Sequence, residues 1–393
     1  MWTRRRFLGS AGVVGGCLGL GHAVPRLWSS VAAAAEASTT GRRLVVIELQ
    51  GGNDGLNTVI PFADDAYYRA RPTLGIAAKD VVKLDDHLGL HPAMKSWREL
   101  WDTGKLSIVE NCGYPHPNRS HFESMDVWHA GQVGSPASSG WLGRASDNST
   151  AGDLCYVGDG AVPHALSGRL HAVAALARLD DVQLRREIAE TRLVPGIGQS
   201  DLTVAITARL EKARELSARL PADGVPRLPD PNSNDRPLVE RLDVIRTLIE
   251  KDQPFRVYYT ALDGFDTHSQ QGGTHRSLWT QTSEAVSGFL DKLKKQNLGD
   301  GVVVFLFSEF GRRVKENGSQ GTDHGAAAPV LILGEKVKGG VQGGVPDLLN
   351  LDDGDVRYQV DFRDVYASLL RDWLGVDPAA VLGPRDGVLK LFT

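Results

Sequence analysis

The sequence predicts an α/β fold with a central, mostly parallel sheet flanked by helices. Three observations carry that expectation. The apolar, β-branched runs at 44–49 and 302–307 read as strands buried on both faces, as parallel strands are. Through the last third of the chain, strand-like runs alternate with helical periodicity. Polar, glycine-containing clusters directly follow three of the runs, where this architecture places its ligand sites.

The elements follow in order. Leu-Val-Val-Ile-Glu-Leu at 44–49 runs into Gly51-Gly52, a strand entering a tight loop. Met94, Trp97, Leu100 and Trp101 give 92–103 helical spacing, 106–110 is a second strand, and 122–130 is helix-like. Residues 173–220, rich in Ala, Leu, Arg and Glu and interrupted at Pro195-Gly196, read as two or more amphipathic helices. Five prolines between 221 and 237 mark a surface loop, and 238–251 is helical again. This middle stretch, about 173–251, reads as a helical insertion over the sheet of a single domain, 38–393. Beyond it, 256–262 is strand, 278–296 helix, 302–307 strand, 330–333 strand, and 362–374 a closing helix.

The N-terminus reads as a leader. Arg4-Arg5-Arg6 precedes a glycine- and alanine-rich apolar stretch, and Ala35-Glu36-Ala37 fits a small-residue cleavage site. Residues 1–37 are therefore expected to be a twin-arginine signal, with the twin-arginine export machinery as partner and a periplasmic or secreted destination. The apolar stretch is shorter than the ~20 residues a spanning helix prefers, so no stable membrane span is expected after cleavage. A net charge of −4 gives no reason to expect nucleic acid or an anionic membrane surface as partner. Cys112 and Cys155 remain after processing, as one disulfide or as separate thiols.

Four clusters could carry chemistry. Gln50-Gly51-Gly52-Asn53-Asp54-Gly55 offers Asp54 as a hard oxygen ligand, and otherwise reads as a plain turn. It is not the dinucleotide-binding G-x-G-x-x-G fingerprint, so a nucleotide-cofactor oxidoreductase ranks last. Asp263-Gly264-Phe265-Asp266-Thr267-His268 places carboxylates and an imidazole together, a donor set that favours zinc, iron or manganese over calcium. Ser308-Glu309-Phe310-Gly311-Arg312 sets Glu309 at a strand end as ligand or general base. Arg312 is its oxyanion clamp, unless the two only pair with each other. Asp323-His324 between glycines adds a ligand pair. Finally, Ser120 stands between Arg119 and His121 at a loop-to-helix junction that suits a nucleophile, although capping is the commoner use of serine there.

Taken together, these motifs resemble the DUF1501 family, from the arginine pair onward: Leu49-Gln50-Gly51-Gly52-Asn53-Asp54-Gly55-Leu56-Asn57, Asn118-Arg119-Ser120-His121-Phe122, Phe265-Asp266-Thr267-His268, Ser308-Glu309-Phe310-Gly311-Arg312 and Thr322-Asp323-His324-Gly325. The family looks like a distant branch of the alkaline phosphatase and sulfatase superfamily. The resemblance implies an alkaline phosphatase-like fold and a metal-dependent hydrolase of phosphate or sulfate esters, with a small anionic ester as substrate. A divalent transition metal (Zn, Mn or Fe), one ion or two, is expected on Asp54, Asp266, His268, Glu309 and His324. Ser120, His121 and Arg312 are expected as the catalytic residues. The chain departs from the superfamily pattern at Gln50 and Phe310, two places where a full two-metal site has ligands. Without Cys-x-Pro-x-Arg at Ser120, a formylglycine sulfatase is disfavoured. The alternative is a non-catalytic exported binding protein that keeps the fold.

Overall fold

A computed structural model describes residues 41–134, 137–148, 153–170, 173–176, 237–385, 387 and 389–393. The expected leader lies outside the described residues. Twelve strands occur among them: β1 (Arg43–Leu49), β2 (Val59–Ile60), β3 (Val82–Lys83), β4 (Gly89–Leu90), β5 (Leu106–Gly113), β6 (Asp153–Val157), β7 (Val173–Leu176), β8 (Phe255–Leu262), β9 (Val302–Phe307), β10 (Ala328–Leu333), β11 (Gly340–Gln342) and β12 (Val360–Asp361). The helices that matter to the site are α1 (Asp65–Ala70), α2 (His121–Ala130), α3 (Pro237–Glu250), α4 (Gln271–Lys295) and α5 (Phe362–Ser368).

Nine strands form one sheet in the order β11-β5-β10-β9-β1-β8-β6-β7, with β12 also on β5. β1 is central and parallel to both neighbours, Val46 standing opposite Tyr259 on one side and Phe305 on the other. Its alternate residues feed two cores, as a strand covered on both faces must. Val45, Ile47 and Leu49 pack with Leu242 of α3 and Phe289 of α4. Leu44 and Val46 pack with Trp128 of α2 and Tyr366 of α5. The result is a helix–sheet–helix sandwich, and the expected α/β architecture stands.

Three differences from the sequence reading have physical reasons. β10 runs antiparallel to β5 and β9, because the chain from β9 to β10 turns back without the helix that a parallel crossover uses. Val173–Leu176, expected in a helical insertion, is an edge strand paired in parallel with β6; its Val-Ala-Ala-Leu alternates half-buried and buried positions. The rest of that insertion up to residue 236 lies outside the described residues, while α3 packs on β8 and α4 as part of the main fold. Cys112 on β5 and Cys155 on β6 are separated by four strands, about 20 Å or more at ~4.8 Å per strand, and both are free, buried thiols. Among the described residues, no helix is long and apolar enough to cross a membrane.

Candidate metal centre

β9, β1 and β8 are neighbours and parallel, so the loops after Phe307, Leu49 and Leu262 emerge side by side. They interlock through two glycines. Gly51 has φ +115° and Gly52 φ +75°, and a Cβ on either would stand 2.3 Å from Asp266 N or from the Phe310 ring. Arg312 ties the loops together from within. Its buried guanidinium donates from Nε to the Gly52 carbonyl (2.6 Å) and from Nη1 to the Thr322 carbonyl (2.6 Å). Nη2 donates to the carbonyls of Gly51 and Phe265 and to Asp266 Oδ1 (2.7 Å).

Above this clamp, four side chains converge. Asp266 Oδ1 lies 2.9 Å from His268 Nε2 and 3.1 Å from His324 Nε2, and its Oδ2 lies 3.5 Å from His121 Nε2. One ligand atom each from His121, Asp266 and His324 fall within 4.8 Å of one another. His268 belongs with them because its Nε2 is 2.9 Å from His324 Nε2. Each imidazole is held at its other nitrogen. His121 Nδ1 meets Glu309 Oε1 at 2.8 Å, His324 Nδ1 the Arg119 carbonyl at 2.8 Å, and His268 Nδ1 Asp323 Oδ1 at 3.3 Å. Anchoring Nδ1–H on an acceptor leaves a bare Nε2 lone pair pointing inward, the outer-shell arrangement of metal-binding histidines. Partial burial works to raise the Asp266 pKa, but the hydrogen bond and charge of Arg312 outweigh it and hold it at about 2. The carboxylate is thus charged at any physiological pH. Three imidazoles and one carboxylate are a donor set for Zn, Mn or Fe, and these residues fit such an ion.

The structure redistributes several expected roles. His121, expected as a catalytic residue, stands in the cluster itself. Glu309, expected as a ligand, points both oxygens elsewhere: Oε1 accepts from Gly51 N (2.9 Å) and His121, and Oε2 from the Ser308 hydroxyl (2.9 Å). It orients His121 instead. Arg312, expected as an oxyanion clamp, has all three nitrogens committed to the loops. Asp54 is not brought to the cluster. Fully buried, it pairs with Arg71, which follows α1, and accepts from Gln271 of α4. Burial raises its pKa, but the Arg71 charge outweighs this and lowers it. Ser120 is the N-cap residue of α2, beside His121; its side chain makes no capping bond. Phe310 packs against the His121 and His324 rings at 5.0 and 4.8 Å between centroids.

Sequence reasoning missed Arg71 and Arg119. Arg71 spans from Asp54 to the carbonyls of Arg313 and Val314, and Arg119 is pinned by Asp353 and Asp355. Nothing local marks Arg71, and Arg119 stands out in the sequence only as a neighbour of Ser120, since its partners Asp353 and Asp355 lie far away in sequence.

Two outcomes test the orienting shell. Glu309→Gln is expected to weaken transition-metal affinity about 10–100-fold, read by competition with a chromophoric chelator. Metal uptake is also expected to fall with pH. The Glu309 hydrogen bond raises the His121 pKa against the opposing effect of burial, so in the metal-free protein a proton holds Nε2 at higher pH than on an ordinary histidine. Affinity is then lost as pH drops through that raised value, and the same competition titration between about pH 8 and about pH 6 reads it.

The family described as "Protein of unknown function (DUF1501)" matches residues 41–390. The chain belongs to this family. No curated protein matches it. Solved structures similar to this DUF1501 chain include Ps i-CgsB, with 11% identity over 88% of this chain and 75% of that one and a TM-score of 0.43. A protein in the alkaline phosphatase superfamily from Vibrio parahaemolyticus has 12% identity, 88% and 71% coverage and a TM-score of 0.40. The lipoteichoic acid synthase LtaP from Listeria monocytogenes has 8% identity, 90% and 75% coverage and a TM-score of 0.39. These similarities are remote.

Proposed function

We propose that this DUF1501 protein is an exported, metal-dependent hydrolase of phosphate or sulfate esters, working outside the cytoplasm on a small anionic ester. The observation that supports it best is the convergence of three Nδ1-anchored imidazoles on Asp266. His121, Asp266, His268 and His324 hold one divalent transition ion, and Phe310 leaves the centre single rather than paired. Bound there, the ion supplies Lewis-acid polarisation of the ester. Ser120 offers its hydroxyl beside His121, at the start of a ten-residue helix whose first backbone amides stabilise the developing anion. These amides take over the oxyanion role that Arg312 cannot fill while its donors serve the loops. Arg312 instead fixes Asp266 and keeps its carboxylate charged.

A second reading has its own support. With Arg312 committed internally and Phe310 in a ligand place, the site lacks parts that the superfamily pattern supplies, which favours a non-catalytic binding protein. Elemental mass spectrometry of exported protein purified without chelator decides the first step. One equivalent of transition metal is expected in the wild type and none in Asp266→Ala/His268→Ala. Absence of metal from both would sink the hydrolase reading. Hydrolysis of phosphate or sulfate monoesters by the metal-loaded wild type then separates enzyme from binding protein.

A further inference from the structure

α2 has Ser120 as its N-cap and His121 in its first turn, yet it has little apolar grip there: Phe122, the large apolar residue of that turn, is 86% exposed. What holds the turn is polar. Ser124, three residues after His121 and so on the same helix face, is fully buried and donates its hydroxyl to the Glu309 carbonyl at 2.6 Å. His121 Nδ1 meets Oε1 of that same Glu309 at 2.8 Å. The residue that follows β9 and Ser308 is thus gripped by one turn of α2 at both its backbone and its side chain.

The order of donors in this contact is determined. A carbonyl only accepts, so the single Ser124 hydroxyl proton goes to Glu309. The Tyr114 hydroxyl, 2.9 Å from Ser124 Oγ, therefore donates to it. The Tyr114 oxygen in turn accepts from Asn118 N at 3.1 Å, and Asn118 Oδ1 accepts from Ser120 N at 2.7 Å. A one-way chain of hydrogen bonds runs from Ser120 N through Asn118, Tyr114 and Ser124 to the Glu309 carbonyl. Tyr114 is buried, and its ring packs edge-on against Phe362, 6.0 Å between centroids. A phenylalanine would keep that packing. The two buried hydroxyls avoid the cost of desolvation through these bonds, and the bonds serve the segment that carries Ser120 and His121.

We infer that Tyr114 and Ser124 are positioning residues of the metal centre. They lock residues 114–121 against Glu309, and so set where the Ser120 hydroxyl and His121 Nε2 stand. Both act through Glu309 and Asn118 rather than on the ion. The inference rests on the reading of the histidine cluster as a metal site.

The test is Zn²⁺ affinity of the full-length mature protein, by competition with a chromophoric chelator, beside the melting temperature of the metal-free form. Tyr114→Phe and Ser124→Ala are each expected to weaken Zn²⁺ binding about tenfold, the lower end of the effect of an outer-shell partner. Phe362→Leu disturbs the packing beside the Tyr114 ring and leaves both hydroxyls in place. It is expected to melt lower than the wild type and to bind Zn²⁺ equally well, so a loss of affinity in the other two is not the result of instability alone. Wild-type affinity in Tyr114→Phe and Ser124→Ala, or a loss that Phe362→Leu matches, overturns the assignment and leaves the two hydroxyls with a structural role only. Should one of the two variants not fold, the other decides by the same comparison. A wild type that binds no Zn²⁺ overturns the metal-site reading and this inference together, whereas a wild type that binds it beside two unaffected variants overturns this inference alone.

Discussion

Arg312→Ala is expected to lower the unfolding free energy of the metal-free protein by ~3–5 kcal/mol, the range for breaking a buried charged network from one side. The guanidinium donates to four backbone carbonyls and to Asp266, and those carbonyls come from the loops after β1, β8 and β9. Removing it leaves several buried acceptors unsatisfied at about 1–3 kcal/mol each before solvent re-enters. Lysine should rescue little, because a point charge on a flexible stem cannot reproduce a planar fork that reaches three loops. Urea unfolding in the presence of chelator measures the effect. An Arg312→Ala protein as stable as wild type would contradict the clamp and return Arg312 to the oxyanion role that its sequence position suggests.

That contrast shows where sequence reasoning stops. The strands at 44–49, 256–262 and 302–307 are legible because burial on both faces leaves a continuous β-branched run. The helix beginning at His121 is legible from its loop-to-helix boundary. Since the ends of those strands carry the Asp, Glu and His clusters, the site's neighbourhood is legible too. The division of labour within it is not. Glu309 and Asp266 look alike as carboxylates after strands, and only tertiary contact separates them. Glu309 is drawn inward by Gly51 N, 258 residues away, while Asp266 is left partly open to face three imidazoles. Asp54 looks as good a ligand as either until Arg71 is seen against it. β7 fails for a different reason: Val-Ala-Ala-Leu, at the start of an Ala- and Leu-rich stretch, carries helical propensity, and pairing with β6 overrides it.

Ser120→Ala is expected to lower kcat for ester hydrolysis at least ~100-fold, while metal content and melting temperature stay near those of the wild type. The expectation separates two roles that serine can play at this position. As a capping residue, Ser120 would lose about 1 kcal/mol of stability on truncation. The structure withholds that role: the side chain makes no capping bond, and the helix start is held through the Ser120 backbone and the Asn118 side chain instead. Ser120 N donates to Asn118 Oδ1 and the Ser120 carbonyl accepts from Ser124 N. The hydroxyl is therefore free for chemistry beside His121. If Ser120→Ala keeps its metal and also keeps the wild-type rate, the attacking oxygen comes from solvent, and the helix start serves only to hold the anion. If it melts several degrees lower at unchanged rate, the serine is a cap after all. A loss of rate with neither metal nor stability disturbed is the one pattern that a nucleophile alone produces.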